Sequence, residues 1–168
     1  MFSGWDNYYI IIGPSAGALL GIMFVVATLT AGLESNRASQ GSQIYITPNV
    51  FHFAIVVVVS AITAVPNLAP EAAGAGIALC AAAGLFYSTR TAMRVFRVTL
   101  DQPPDWEDKI FYGLLPVVTY LGLAGSAAAV WLAPASAAHA IGATMLFLLL
   151  VGIRNAWDLA TYLVQHRP

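Results

Sequence analysis

The chain has 168 residues, 59% of them hydrophobic and 9% charged, with 7 Lys+Arg against 8 Asp+Glu and a mean hydropathy of +0.76. Soluble domains carry about 25% charged residues, so too little polar surface is present to coat a water-facing domain. That balance excludes a single soluble domain, a disordered chain and the basic face that nucleic-acid binding needs. The lone Cys80 excludes a disulfide framework and any cysteine-rich metal or iron–sulfur site. What remains is an all-α, polytopic integral membrane protein whose first partner is the lipid bilayer.

A spanning helix needs roughly 20 mostly apolar residues, because the hydrocarbon core is about 30 Å thick and a helix rises about 1.5 Å per residue. Five stretches meet that length in a single transmembrane domain, about 10–33, 48–66, 71–98, 106–132 and 137–165. The first runs from Ile10 to Leu33, with Pro14 in its first turn and Trp5, Tyr8 and Tyr9 as an interfacial aromatic belt leading in. The second starts at Thr47-Pro48, a cap followed by a proline whose missing N–H costs nothing there, and ends near Pro66. The third runs from Pro70 or Glu71 to Val98, Ala/Gly-rich first and arginine-bearing last. The fourth follows Pro103-Pro104, with Asp105 as N-cap and Glu107 and Asp108 at the positive end of the dipole. The fifth follows Ala133-Pro134-Ala135-Ser136 and reaches Gln165. Short links at Pro66–Pro70 and Ala133–Ser136 make antiparallel hairpins of helices two and three and of four and five. Runs as solid as Leu19–Thr30 do not alternate as barrel strands do. Met1–Tyr9 has no basic region of the kind that opens a signal peptide.

Charge fixes the expected orientation. The links Pro66–Pro70 and Ala133–Ser136 contain no Lys or Arg, whereas Arg37, Arg90, Arg94, Arg97, Lys109, Arg154 and Arg167 all fall toward the other side. The positive-inside rule then puts the N-terminus outside and the C-terminus in the cytoplasm. A four-span arrangement with the first segment lying in the interface breaks this sorting. The Ala/Gly/Val-rich composition and the lack of a targeting segment point to a bacterial inner membrane.

Ionisable and polar groups inside a span are costly and mark functional candidates. Arg154, Asn155 and Asp158 share one side of the fifth helix, and Arg154 can pair with Asp158 one turn on. Ala137 to Arg154 is roughly 25 Å of helix, so length alone leaves open whether the pair lies in the inner leaflet or at the edge. Arg90, Arg94 and Arg97 form a stripe at the end of the third helix. They read as a positive-inside anchor facing anionic headgroups or the acids Asp101, Asp105, Glu107 and Asp108, rather than as a voltage sensor. His52 and His139 fall near opposite faces and cannot share a metal or haem; each reads as an interfacial hydrogen-bonding residue. His52 in a water-filled vestibule could sense pH. Pro116 deprives the Tyr112 carbonyl of its usual donor, and Thr119 and Tyr120 just beyond it offer hydroxyls that could line a cavity.

Small-residue stripes occur at Gly13, Gly17 and Gly21, at Gly76 and Gly84 with Ala72, Cys80 and Ser88, and at Gly122 and Ser126. Such faces let helices approach closely in lipid, and one of them is free to meet another copy or a partner protein. No nucleotide-binding, hydrolase or metalloprotease motif occurs, and no paired intramembrane carboxylates, so neither an enzyme nor a cofactor or metal is expected. The sequence therefore suggests an oligomeric channel or transporter for a small ion or solute. Arg154, Asn155 and Asp158, with Thr119, Tyr120 and His52, would form the pathway or gate. The alternative is a non-conducting accessory or scaffold subunit whose glycine faces dock a partner.

Overall fold

The computed structural model describes residues 2, 4–30, 38–97 and 105–165. Arg37, Asp101, Pro103, Pro104 and Arg167, and the expected helix ends at 31–33 and 98, lie outside the described residues. Among those residues the chain is all-helical, with five helices long and apolar enough to cross a membrane. They are α1 (Asp6–Thr30), α2 (Ala38–Thr63), α3 (Pro70–Arg97), α4 (Trp106–Leu132) and α5 (Pro134–Gln165).

The helix starts differ from the sequence expectation where proline is involved. Helix α2 begins at Ala38, so Thr47-Pro48 does not open it and Pro48 lies inside. Proline lacks only the N–H that would meet the carbonyl of residue 44. Helices α3 and α5 each begin on a proline, Pro70 and Pro134, which suits a first-turn position whose N–H would be unpaired anyway. Asp105 does stand at the N-cap of α4, but its side chain makes no capping bond. Between α2 and α3 the chain reverses through Asn67 at φ 55°, a left-handed conformation that asparagine tolerates.

Contacts between glycines and side chains fix the packing as antiparallel. Gly74 meets Trp131, Gly84 meets Tyr120, and Gly113 meets Phe96, which runs α3 against α4. Likewise Gly122 meets Thr144 across α4 and α5, and Gly152 meets Phe53 across α5 and α2. Helix α2 touches α1, α3 and α5 and forms the middle of the bundle. The core consists of Phe53, Val56, Val59, Ile77, Leu123, Ile141, Met145 and Leu148. Large apolar side chains also cover the outside: Ile10, Ile11, Leu79 and Phe86 are exposed. In water such a surface would associate; in lipid it is solvated, and close backbone approach replaces hydrophobic drive as the source of cohesion.

Candidate polar site at the basic end of the bundle

Helix α4 holds the site because its first turns are not α-helical. Residues Lys109–Leu114 form a π-helix, and the Leu115 N–H donates to the Ile110 carbonyl five residues back. The next carbonyl, Phe111, would need residue 116 as its π-register donor, and residue 116 is a proline without an N–H. The Asn155 side chain fills that gap: its Nδ2 donates to the Phe111 oxygen at 3.0 Å. The sequence points to the Tyr112 carbonyl, four residues before the proline; in the π register the Phe111 carbonyl, five residues before it, also lacks a backbone donor. Tyr112 returns the contact, its hydroxyl donating to the Asn155 carbonyl at 2.8 Å and lying 3.4 Å from Asp158 Oδ2. Tyr112 and Asn155 are both buried.

One turn outward the site opens. Arg154 Nη2 bonds Glu107 Oε2 at 3.0 Å, while its Nη1 stands 4.0 Å from Asp158 Oδ2 and makes no hydrogen bond. The guanidinium carbon lies 3.9 Å from the centre of the Phe111 ring, within cation–π range. The i,i+4 pairing expected between Arg154 and Asp158 is therefore the looser of two; Glu107 is the nearer partner. Asp105, Trp106, Glu107, Asp108, Arg154 and Asp158 line an open recess of about 490 Å³. Four carboxylates face one guanidinium there. The Arg154–Asp158 pair is level with the first turn of α4 and partly exposed, at the end of the bundle rather than in mid-span.

Deeper in, His52 and Tyr120 come together. His52 Nδ1 lies 2.9 Å from the Tyr120 hydroxyl, and both side chains are buried. His52 thus makes a hydrogen bond, as the sequence suggests, but it does so buried among the helices and not facing a vestibule. Thr119 and Tyr120, which the sequence allows either a structural role or a place on a cavity wall, are both buried. Thr119 spends its hydroxyl on the Leu115 carbonyl at 2.7 Å, and the Tyr120 ring packs on Gly84 so closely that a Cβ there would enter the ring. One turn from His52, Asn49 is wholly buried, and neither its Oδ1 nor its Nδ2 has a partner; Asn155 Oδ1 is also buried and unpaired.

The remaining sequence candidates separate. His139 packs edge-on against Trp5 with ring centres 4.9 Å apart, far along the chain path from His52. Tyr8 donates to the Gly142 carbonyl at 2.5 Å, and Trp5 and Tyr8 both pack on Gly142, so these two rings clamp the start of α1 onto α5, while Tyr9 is 3% exposed. Among the small-residue faces, a Cβ on Gly13 would stand 2.9 Å from Ser60 Cβ and one on Gly76 3.2 Å from Ile62 Cδ1. With Gly84, these faces are consumed inside the subunit. On α1, Gly17, whose nearest contact is Val57 at 4.0 Å, and Gly21, with none, remain open, as does Gly125 on α4. Arg90 lies over the Phe86 ring at 5.0 Å, and Arg90, Met93, Arg94 and Arg97 line a shallow recess of about 350 Å³.

Sequence reasoning missed Glu107 as the partner of Arg154, Phe111 and Tyr112 as partners of Asn155, and Asn49 altogether. Asn49 carried a signal: an amide inside the apolar window Ile46–Thr63. Glu107, Phe111 and Tyr112 lie on another helix, 43 to 47 residues away along the chain. No protein family, curated protein or solved structure matches this chain.

Proposed function

We propose that this protein is a membrane transport protein, not an enzyme, and that it passes a small cation, the proton foremost. One observation carries the reading. A run of polar groups leads from the acidic recess into the bundle, from Asp158 to the Tyr112 hydroxyl and Asn155, with Asn49 and the His52–Tyr120 pair beyond. Four carboxylates at the mouth raise the local concentration of cations, and hydroxyl, amide and imidazole groups can hand protons along. The positive-inside rule assigns this end to the cytoplasm, and composition favours a bacterial inner membrane. The test is flux of H⁺, K⁺, Na⁺ and Cl⁻ in liposomes holding only the purified protein, with Asp158→Asn beside it. Flux above empty liposomes that Asp158→Asn changes supports the reading; no flux for any ion from inserted, folded protein refutes it.

A second reading, a non-conducting accessory subunit, is favoured by a different observation. Arg154, Asn155 and Tyr112 all bind across α4 and α5, as a lock would. On this reading a partner or a second copy docks on the open Gly17–Gly21 face of α1, not at Gly76 or Gly84 as the sequence suggests. A bulky residue at Gly21 then abolishes a complex and leaves the subunit folded.

A further inference from the structure

The two buried amides left incomplete in the site stand level with each other. Phe53 on α2 meets Gly152 on α5, where a Cβ would lie 2.6 Å from Phe53 Cε1. Helices α2 and α5 run antiparallel, so one turn toward the basic end from that contact lies Asn49 on α2 and Asn155 on α5. At about 1.5 Å rise per residue the two steps, four residues and three, differ by only about 1.5 Å. Spacings of four and three also keep each residue on the stripe that makes the Phe53–Gly152 contact. Asn49 is 0% and Asn155 1% exposed. Asn49 leaves both Oδ1 and Nδ2 unpaired and Asn155 leaves Oδ1, while the other end of the Asn155 amide is held by Phe111.

We infer that Asn49 and Asn155 form an internal water site between α2, α4 and α5, holding one or two ordered water molecules beside the His52–Tyr120 pair. An unpaired buried amide costs about 1–3 kcal/mol, so a bundle that keeps three such atoms at one level satisfies them with something. The three atoms comprise one donor group and two acceptors, matching a molecule that both donates and accepts. Water does this, and buried waters make about three hydrogen bonds to such groups. A dehydrated metal cation does not fit. It would find only two oxygens where hard cations take six or more, and the Asn49 NH₂ would face it with positive hydrogens. A direct amide–amide bond is not formed, since neither side chain has its open atoms within bonding distance of a partner.

The site stands independently of the transport reading, because an accessory subunit would hold the same water. The experiment uses the full chain with ¹⁵N-labelled asparagine in lipid nanodiscs and records magnetisation transfer from water to side-chain amides. The Asn49 NH₂ signal is assigned by its loss in Asn49→Ala or, should that chain fail to insert, in Asn49→Asp. A cross-peak between Asn49 NH₂ and water is the expected result. Cross-peaks to protein protons alone overturn the inference, as do amide shifts that follow exchange of Na⁺ for K⁺ without any water cross-peak. Thermal midpoints give a second readout. If one water serves both residues, Asn49→Leu and Asn155→Leu together lower the midpoint by less than the sum of the single losses, and strict additivity overturns a shared site. Water cross-peaks without ion flux would refute transport and leave the water site standing.

Discussion

Gly84→Ala offers the sharpest test of the packing that supports the site. The Cβ it adds falls within the Tyr120 ring, whose Cε1, Cδ1 and Cζ are its nearest atoms. That ring is 0% exposed, so either α3 backs away or Tyr120 rotates. Overpacking of this kind costs about 1–3 kcal/mol. Moving Tyr120 also breaks its 2.9 Å bond with His52 and strands two buried polar groups, a further loss of about 1–3 kcal/mol. Helix propensity returns about 1 kcal/mol when glycine becomes alanine. The net expectation is a loss of about 1–5 kcal/mol, which for a chain of this size lowers the midpoint by about 2–20 °C. Cys80, the chain's single cysteine and half-buried, reports unfolding through a thiol-reactive dye in detergent. Gly125→Ala is the internal control, since its Cβ meets nothing within 4 Å and should be neutral or slightly stabilising. Equal midpoints for Gly84→Ala and Gly125→Ala would refute the close approach of α3 and α4 at Tyr120.

Asn155→Leu should cost about 1–3 kcal/mol by stranding the Phe111 carbonyl, and the penalty should shrink in a Pro116→Ala background, where α4 regains an N–H for its own carbonyls. A thermal double-mutant cycle measures this, and an unchanged penalty would count against the capping role. Arg154→Ala should destabilise more than Glu107→Gln. Glu107 is 77% exposed, so its ion pair is worth under about 1 kcal/mol and fades in salt, while Arg154 also loses the Phe111 ring. Equal losses in low salt would show that the ring contact contributes nothing. Tyr8→Phe should cost about 1 kcal/mol through its bond to the Gly142 carbonyl, read as earlier melting; no change would mean that the aromatic clamp is packing alone.

The spacing of apolar runs determines the five helices, because crossing a bilayer sets a length that ordinary domains do not need and the backbone must bond to itself there. The link ahead of Pro70 is a local feature of the same kind, visible in the chain as written, whereas the last helix begins at Pro134, inside the stretch 133–136 that reads as a link. Pro48 shows the limit: proline marks a cost in hydrogen bonds, not a boundary, and the helix that begins at Ala38 runs through it. Arg154, Asn155 and Asp158 stand out in the sequence because polar groups are rare in such a helix. Their partners do not stand out, since Glu107, Phe111 and Tyr112 are 43 to 47 residues away along the chain and are brought into register by a π-turn. His52 and Tyr120 likewise look like separate groups, one interfacial and one at membrane depth, until the packing of the helices places one against the other. Helical periodicity and hydropathy are properties of single segments and can be read from residues in order. Which buried donor meets which acceptor depends on the rotation and depth of one helix against the next, and only the assembled bundle decides that.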